Sequence, residues 1–510
     1  MAALALALFA MTTKLLDSYK TLTQRNHDCT LIGSTNNLLE WDMQTYMPVA
    51  AAPFRADQSA YLAGLGHRLW TAPEVGRWIA ECEDGCWDAA GVEAVNIRQW
   101  RKSYDRATRL PAELVERLKR ETSLGHEAWV QARQKADFTL FKPSLKRIVE
   151  INREMAERWG YEGSPYNALL EGYETGAETG QIKTLFQKLA PQITALLESR
   201  KPNGAKDPSL PPGPYPVEQQ QRFNRRVAEA LGFNFDAGRI DTTAHPFCTT
   251  NGRHDVRLTT RYSEADFTNS LYGIIHETGH GLYEQGLRPE HYGTPMGEAI
   301  SLGIHESQSR LWENQVCRRL DFWEFWFDEA CRCFPQLKRS SPLMIARYVN
   351  HVRRSFIRVE ADEVTYDLHV ILRFILEVDL FEGRLEVEDI PTAWNERFQA
   401  MLGLSVPDDA RGCLQDVHWS MGSFGYFATY TLGSLNAAQL FARADRDVVG
   451  LQHSLKRGQY HPLLQWLRTH VHEQGQRYTP QELMKSATGK GTEDEAYINH
   501  LKTKISWMTD

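Results

Sequence analysis

Helical periodicity runs through most of the sequence and is the feature that most limits its fold. From residue 11 to about residue 200, apolar side chains recur at spacings of three and four, with short breaks that contain Gly or Pro. The alternation typical of a β-strand is concentrated in residues 254–262, where Val256 and Leu258 alternate with polar residues. The sequence therefore predicts a mostly α fold with a small β-sheet.

The composition supports one large folded unit. Of the 510 residues, 42% are hydrophobic, and the chain contains 14 Trp, 19 Tyr and 21 Phe, which excludes intrinsic disorder. The Pro-rich stretch 201–217 is the clearest break, but the helical pattern resumes after it without a change in composition. We interpret this stretch as a surface loop within a single domain that spans residues 11–510.

Charge and cysteine content exclude several classes of protein. The 58 Lys and Arg and 65 Asp and Glu give a net charge of −7, which argues against binding to nucleic acid. Eight cysteines are too few for a disulfide scaffold and favour a cytoplasmic location. Residues 1–10 are apolar, but no basic residue precedes them and they are too short to span a bilayer. We interpret them as an extended start or a processed leader, and we expect no membrane partner.

The motif HETGH at residues 276–280 carries the clearest chemistry. On a helix, residues four apart project from the same face, so His276 and His280 can bind one metal ion. Glu277 lies about 100° around the helix from His276. It therefore flanks the metal, where it can take a proton from a water that the metal activates.

The helix around this motif has recognisable ends. Ser263 and Asp266 have the spacing of a capping box, so we expect the helix to begin near Ser263 and to end at Gly286. Within it, Gly279 and Gly281 are expected to leave room for a substrate.

A catalytic zinc usually takes three protein ligands and keeps a fourth position for water. Glu284 is a poor third ligand because it lies about 12 Å along the helix from His276. The next helical stretch contains three candidate carboxylates, Glu298, Glu306 and Glu313. Small neighbours favour Glu306 because they permit a tight helix crossing, but spacing alone leaves all three open.

Short segments along nearly the whole chain resemble the carboxypeptidase Taq family of metallocarboxypeptidases. Each segment is weak alone, but their order and spacing are jointly specific. They are WDMQTYMP at 41–48, YNALL at 166–170, HPF at 245–247, DVRLT at 255–259, ESQSR at 306–310, IRVEAD at 357–362 and GCLQDVHW at 412–419. One departure is Asn167, where the family pattern has Asp; it lies outside the metal motif.

The resemblance implies that His276, His280 and Glu306 bind the metal and that Glu277 is the general base. It also implies a helical fold with a deep substrate groove, like that of neurolysin and angiotensin-converting enzyme, and a homodimer. Zinc is the expected ion, although cobalt or manganese supports the same chemistry.

Removal of a C-terminal residue requires a group that holds the terminal carboxylate, and the planar guanidinium of Arg pairs with carboxylates. Arg358 is the first candidate; the alternative is an ion pair with Asp362, four residues later. The resemblance favours the substrate role. Arg257 is a second candidate, for which structural pairing with Asp255 is the favoured interpretation.

Side chains that stabilise the oxyanion are expected downstream of the metal helices, where related helical zinc peptidases place a His and Tyr residues. His418 is the expected His, and a donor of this kind contributes roughly 3–4 kcal/mol. We assign Tyr426 to catalysis and Tyr430 to substrate binding, although the sequence does not choose between them. His245 is expected to be structural or to line the groove.

Together these features predict a metal-dependent carboxypeptidase that acts on peptides with a free C-terminus. One alternative keeps the metal site but makes the protein a helical zinc endo-oligopeptidase or a dipeptidase. A more distant alternative is a helical interaction protein without catalytic activity, against which Glu277 argues because a structural metal site needs no base.

Overall fold

Helices dominate the fold, as the periodicity predicts, and the prediction of a mostly α protein is confirmed. The computed structural model describes residues 2–199 and 207–509, with side chains described for 14–199 and 207–507. The described part contains twenty α-helices: α1 Ala2–Thr45, α2 Ala52–Trp70, α3 Pro73–Glu83, α4 Val92–Thr108, α5 Ala112–Lys135, α6 Lys142–Trp159, α7 Tyr166–Leu170, α8 Thr179–Ser199, α9 Val217–Leu231, α10 Phe267–Glu284, α11 Leu302–Arg310, α12 Leu320–Cys333, α13 Pro342–Val349, α14 Glu363–Phe381, α15 Ile390–Leu402, α16 Ala428–Asp447, α17 Leu451–Lys456, α18 His461–His470, α19 Pro480–Thr488 and α20 Glu495–Thr509.

A three-stranded sheet lies beside α10. Its strands are β1 Gly238–Thr242, β2 Cys248–Gly252 and β3 Asp255–Thr260, in the order β1-β3-β2. β3 is parallel to β1 and antiparallel to β2. The alternating segment of the sequence contains β3, whose Val256 and Leu258 are buried in the same core as α10. The predicted small sheet beside the helix that carries HETGH is therefore confirmed.

Two large hydrophobic cores are formed by different sets of helices. The first is built largely from α6, α8, α14 and α15. The second surrounds α9, α10, α12 and α18. Helix α16 contributes Leu435 to the first core and Leu440 to the second, so it packs between them.

Two predicted segments lie partly outside the described residues. Of the predicted loop 201–217, residues 201–206 are outside them, residues 207–216 contain no helix or strand, and Val217 begins α9. Of the apolar start 1–10, Met1 is outside them, and so are the side chains of residues 2–10. Within the described part, no helix is both long enough and apolar enough to cross a membrane.

Candidate metal centre

Helix α10 carries the HETGH motif, and its start differs from the predicted one. Asp266 caps the helix by accepting a hydrogen bond from the Thr268 backbone N–H at 2.8 Å. The hydroxyl of Ser263 instead accepts from the Ala265 N–H, before the helix begins. The predicted start at Ser263 was therefore wrong, because Asp266 supplies the cap. The helix also ends at Glu284, two residues earlier than predicted.

The glycines of the motif region serve helix packing. A Cβ on Gly279 would lie 2.5 Å from the Cα of Ser309 and 2.6 Å from the carbonyl oxygen of Gln308, both on α11. A Cβ on Gly281 would lie 2.7 Å from the ring of Phe233. The expectation that these glycines leave room for a substrate was wrong. They allow α11 and the core to approach α10 closely.

Three side chains from α10 and α11 converge. The ligand atoms of His276, His280 and Glu306 all lie within 4.8 Å of one another. The Glu306 Oε2 atom is 3.6 Å from His276 Nε2 and 3.5 Å from His280 Nε2. Three ligand atoms at about 2.0–2.2 Å from one zinc ion have separations of this size. The residues present therefore fit a divalent metal ion.

Neighbouring groups keep Glu306 ionised. Burial acts to raise the pKa of this carboxyl group, but Arg310 and the two histidines hold it well below its usual range. The Arg310 Nε donates to Glu306 Oε1 at 2.7 Å, and the Ser309 hydroxyl donates to Oε2 at 3.2 Å. Glu306 is therefore a fixed carboxylate that faces the two imidazoles.

Glu313 lies on the opposite side of the His276 ring. Its Oε2 atom is 3.0 Å from His276 Nδ1, and its Oε1 accepts a hydrogen bond from Arg318 at 2.7 Å. A proton held at Nδ1 leaves the lone pair of Nε2 free to face Glu306. Of the other carboxylates considered as a third ligand, Glu298 is exposed and contacts Gln476 at 3.4 Å.

A series of side-chain contacts orients His280. Its Nδ1 atom lies 2.5 Å from His305 Nδ1, and His305 Nε2 lies 2.8 Å from Glu284 Oε1. The Thr250 hydroxyl donates to the other oxygen of Glu284 at 2.9 Å. Glu284 therefore acts on His280 through His305. The sequence contained a signal for this, because Glu284 follows His280 by four residues and shares its face of the helix.

Glu277 is the acidic group that flanks the cluster. Glu277 is 6% exposed, and its carboxyl group makes no hydrogen bond to any residue that the structure describes. Burial raises the pKa of Glu277 to about 7; the positive charge of His276 opposes this rise, and Glu306 adds to it. A carboxyl group with a pKa near neutrality can both accept and return a proton at neutral pH.

His418, Tyr426 and Tyr430 form a second group of side chains. The His418 ring centroid lies 5.1 Å from that of Tyr426, and the Tyr430 hydroxyl lies 3.4 Å from His418 Nε2. Burial lowers the pKa of His418 to about 4, so its imidazole is neutral at pH 7. Burial raises the pKa of both tyrosines, and the nearby Glu306 carboxylate adds to the increase.

Arg358 is buried among polar partners. Its Nε and Nη2 donate to Asp416 Oδ1 at 3.0 and 2.8 Å, and its Nη1 donates to the Tyr366 hydroxyl at 2.9 Å. The alternative ion pair with Asp362 was wrong, because the Asp362 carboxylate caps α14. The Arg358 guanidinium also lies 4.9 Å from the centre of the Tyr430 ring.

Arg257 has the structural contacts that the sequence favoured. Its Nε and Nη2 each donate to an oxygen of Asp255 at 2.7 Å. The guanidinium also lies 4.1 Å from the centre of the Trp41 ring. His245 is exposed on the connection between β1 and β2.

Comparison with known proteins identifies the family. Residues 21–505 match the family model described as carboxypeptidase Taq (M32) metallopeptidase. The chain belongs to this family. It is 41% identical to thermostable carboxypeptidase 1 of Thermus thermophilus, over 96% of this chain and 98% of the relative. It is 36% identical to carboxypeptidase 1 of Bacillus subtilis, over 92% and 94% of the two chains.

Solved structures agree with this assignment. The crystal structure of the M32 carboxypeptidase from Deinococcus radiodurans superposes with a TM-score of 0.93 at 36% identity, over 97% of this chain and 99% of the other. The carboxypeptidase of Pyrococcus furiosus superposes with a TM-score of 0.93 at 34% identity, over 96% and 99%. The protein is therefore a metallocarboxypeptidase that uses a divalent metal ion.

Gly433 on α16 packs closely against the side chain of Glu306 in this carboxypeptidase. A Cβ on Gly433 would lie 2.5 Å from Glu306 Cγ and 2.7 Å from Glu306 Cβ. We expect Gly433→Ala to displace the carboxylate, weaken metal binding about tenfold or more and lower the free energy of unfolding by about 1–3 kcal/mol. Metal titration and denaturant unfolding measure both effects.

The matched control is Gly33→Ala. A Cβ there meets nothing within 4 Å, and Gly33 also lies within a helix, α1. We expect this variant to bind metal as the parent does. Parental metal affinity in Gly433→Ala would show that the contact with α16 does not position Glu306.

Proposed function

We propose that His276, His280 and Glu306 hold the catalytic metal of this carboxypeptidase and that the ion is zinc. The observation that carries the proposal is the convergence of two imidazole Nε2 atoms and one carboxylate oxygen within 4.8 Å. Two histidines and a glutamate form a donor set typical of catalytic zinc. Cobalt or manganese is the alternative, since nitrogen and oxygen donors also bind these ions.

Glu277 is the proposed general base. When bound, the metal supplies a Lewis acid that acidifies a water and polarises the peptide carbonyl. The Glu277 carboxylate accepts the proton of that water and later gives it to the leaving amine. Its pKa of about 7 suits both transfers. Meanwhile Glu313 and His305 hold the Nδ1 atoms of the two histidines, which keeps both Nε2 lone pairs directed at the cluster.

His418 and Tyr426 are the proposed donors to the oxyanion that forms as the carbonyl is attacked. A neutral His418 keeps one N–H to donate, and the Tyr426 ring packs against it. Donors of this kind accelerate related reactions by about 10²–10³-fold each. Tyr430 is assigned to substrate binding because it lies under the Arg358 guanidinium.

Arg358 is the proposed partner of the substrate's terminal carboxylate. Three of its five N–H groups donate to Asp416 and Tyr366, and the other two have no partner among the described residues. Asp416 also accepts from Arg373 at 2.6 Å, which fixes the carboxylate that orients Arg358.

We expect Arg358→Gln to lower kcat/KM for free-acid peptides by about 10–100-fold, mainly through KM, because it removes a charge-assisted pair. Steady-state kinetics on a C-terminally free peptide measures this effect. Arg257→Gln is the matched control, because the Arg257 guanidinium already pairs with Asp255. We expect the KM of this variant to be unchanged. Equal kinetic effects of the two substitutions would remove the distinction between the two arginines.

The choice between exopeptidase and endopeptidase action has a direct test. Two copies of one peptide, with a free and an amidated C-terminus, are incubated with the enzyme and their products identified by mass spectrometry. We expect the enzyme to release single residues from the peptide with the free C-terminus. We expect it to cleave the amidated peptide at least about 100-fold more slowly, because the carboxylate that would pair with Arg358 is missing. Internal cleavage of both peptides at similar rates would support the endo-oligopeptidase alternative.

We also propose that the enzyme is a cytoplasmic homodimer with one catalytic domain from residue 11 to residue 510. The eight cysteines are free thiols, which suits a reducing compartment. Packing of α16 between the two cores supports one domain. The dimer rests on the family resemblance, and light scattering coupled to size-exclusion chromatography tests it against the monomer mass of 58.4 kDa.

A further inference from the structure

A large cavity has none of the three clustered residues His276, His280 and Glu306 in its described wall. Its volume is about 960 Å³, which is within the range of sites for small organic molecules. Helix α13, the second half of α16, helix α20 and the π-helical segment Leu311–Cys317 contribute to its walls. Among the described residues that line it there is no member of the metal cluster and none of the His418–Tyr430 group. The cavity is therefore not formed by the residues of the metal cluster, although Arg318 in its wall donates to Glu313, which contacts His276.

Two buried side-chain amides line this cavity. Asn314 and Gln315 are 3% and 4% exposed. Neither amide makes a side-chain hydrogen bond within the part of the chain that the structure describes. Buried amides normally have partners, so these two have unused donors and acceptors for a ligand. They lie on a π-helical segment, a rare conformation that occurs frequently at functional sites.

The cavity also has unpaired positive charge. Seven Lys and Arg line it, against four Asp and Glu. Some of these cations are neutralised, as Arg318 is by Glu313. By contrast, Arg347 on α13 and Arg446 on α16 form no ion pair with any described residue, and the Nε atom of Arg347 is buried without a hydrogen bond. Free guanidinium groups are suited to carboxylates and phosphates.

Apolar side chains provide the remaining surface. Leu343, Phe441 and Trp507 line the cavity together with the polar groups. A few polar groups within an apolar wall are typical of sites for small organic ligands. A ligand that matches this surface has an apolar part as well as a charged part.

We propose that this cavity binds a small organic anion. The carboxylate or phosphate group of the ligand pairs with Arg347 and Arg446. A polar group next to it bonds the amides of Asn314 and Gln315, and its apolar part contacts the aromatic wall. The site is distinct from the peptide-binding site at the metal.

Calorimetric titration of the metal-loaded enzyme tests the proposal. The probes are phenyl phosphate, benzoate and the neutral benzyl alcohol, so that binding of a phosphate and binding of a carboxylate are measured separately. We expect one of the two anions to bind with a stoichiometry of one, and benzyl alcohol not to bind. In the double variant Arg347→Gln/Arg446→Gln we expect binding to weaken about tenfold or more, because two charge-assisted contacts are lost. The control is Arg120→Gln, an exposed arginine on α5 without an ion pair in the described part, for which we expect parental binding.

An anion that binds at the metal would bind the double variant as tightly as the parent, and that result would overturn the proposal. Failure of both anions to bind the parent would overturn it as well. A second measurement uses only the unaltered enzyme. Crystals soaked with 4-iodobenzoate are expected to show an anomalous iodine peak beside Arg347, and a peak found only outside the cavity would contradict the site.

Discussion

Glu277→Gln is expected to lower kcat/KM for peptides with a free C-terminus by about 10³-fold while one equivalent of metal stays bound. Glutamine has nearly the same shape but cannot accept the proton of the attacking water. Glu277 makes no hydrogen bond within the described residues, and its carboxylate is outside the cluster of His276, His280 and Glu306. Its replacement therefore removes the base without removing a ligand.

Kinetics and elemental analysis of the same preparation distinguish a role as general base from a role as metal ligand. The control is Glu298→Gln, which changes another nearby glutamate that is exposed and lies outside the cluster. We expect this control to keep both metal and activity. Undiminished hydrolysis by Glu277→Gln would exclude Glu277 as the base, and loss of its metal would indicate that Glu277 is itself a ligand.

Glu306→Gln is expected to weaken metal binding by more than about 100-fold, beyond the 10–100-fold typical of residues that only support a ligand. The substitution removes a carboxylate that lies 3.6 Å and 3.5 Å from the two Nε2 atoms. It also removes the charge that pairs with Arg310, so we expect the folded state to lose about 3 kcal/mol as a buried ion pair is broken.

Titration with a metal buffer and denaturant unfolding measure these losses. Excess metal is expected to restore part of the activity of Glu306→Gln but none of that of Glu277→Gln.

From spacing alone, Glu298 and Glu313 were equivalent alternatives to Glu306. Their positions differ, because Glu306 faces both Nε2 atoms whereas Glu313 contacts His276 Nδ1. We therefore expect Glu313→Gln to lose about 10–100-fold in affinity and Glu298→Gln to lose none.

Local patterns predicted much of this enzyme. Helical periodicity and the four-residue spacing of His276 and His280 depend on neighbours in sequence, so the helices and the paired imidazoles were visible without a structure. Strands β1 and β2 were missed because their sequences, GRIDT and CTTNG, lack apolar alternation and are recognised only through pairing with β3.

Contacts between segments that are distant in the chain could not be predicted from the sequence. The partner of Arg358 is Asp416, 58 residues away, and not the nearby Asp362. The link from His280 through His305 to Glu284 joins α10 to α11, and the close approach at Gly279 depends on the backbone of α11. Each of these contacts is set by how helices pack, which periodicity within one helix does not encode.

Anomalous diffraction from crystals of the zinc-loaded enzyme locates the divalent ion that we propose His276, His280 and Glu306 bind. We predict a single peak above the zinc absorption edge, about 2.0–2.2 Å from both Nε2 atoms and from an oxygen of Glu306. A peak bound through Glu313 or Glu298 in place of Glu306, or the absence of any peak between the two imidazoles, would contradict this proposal.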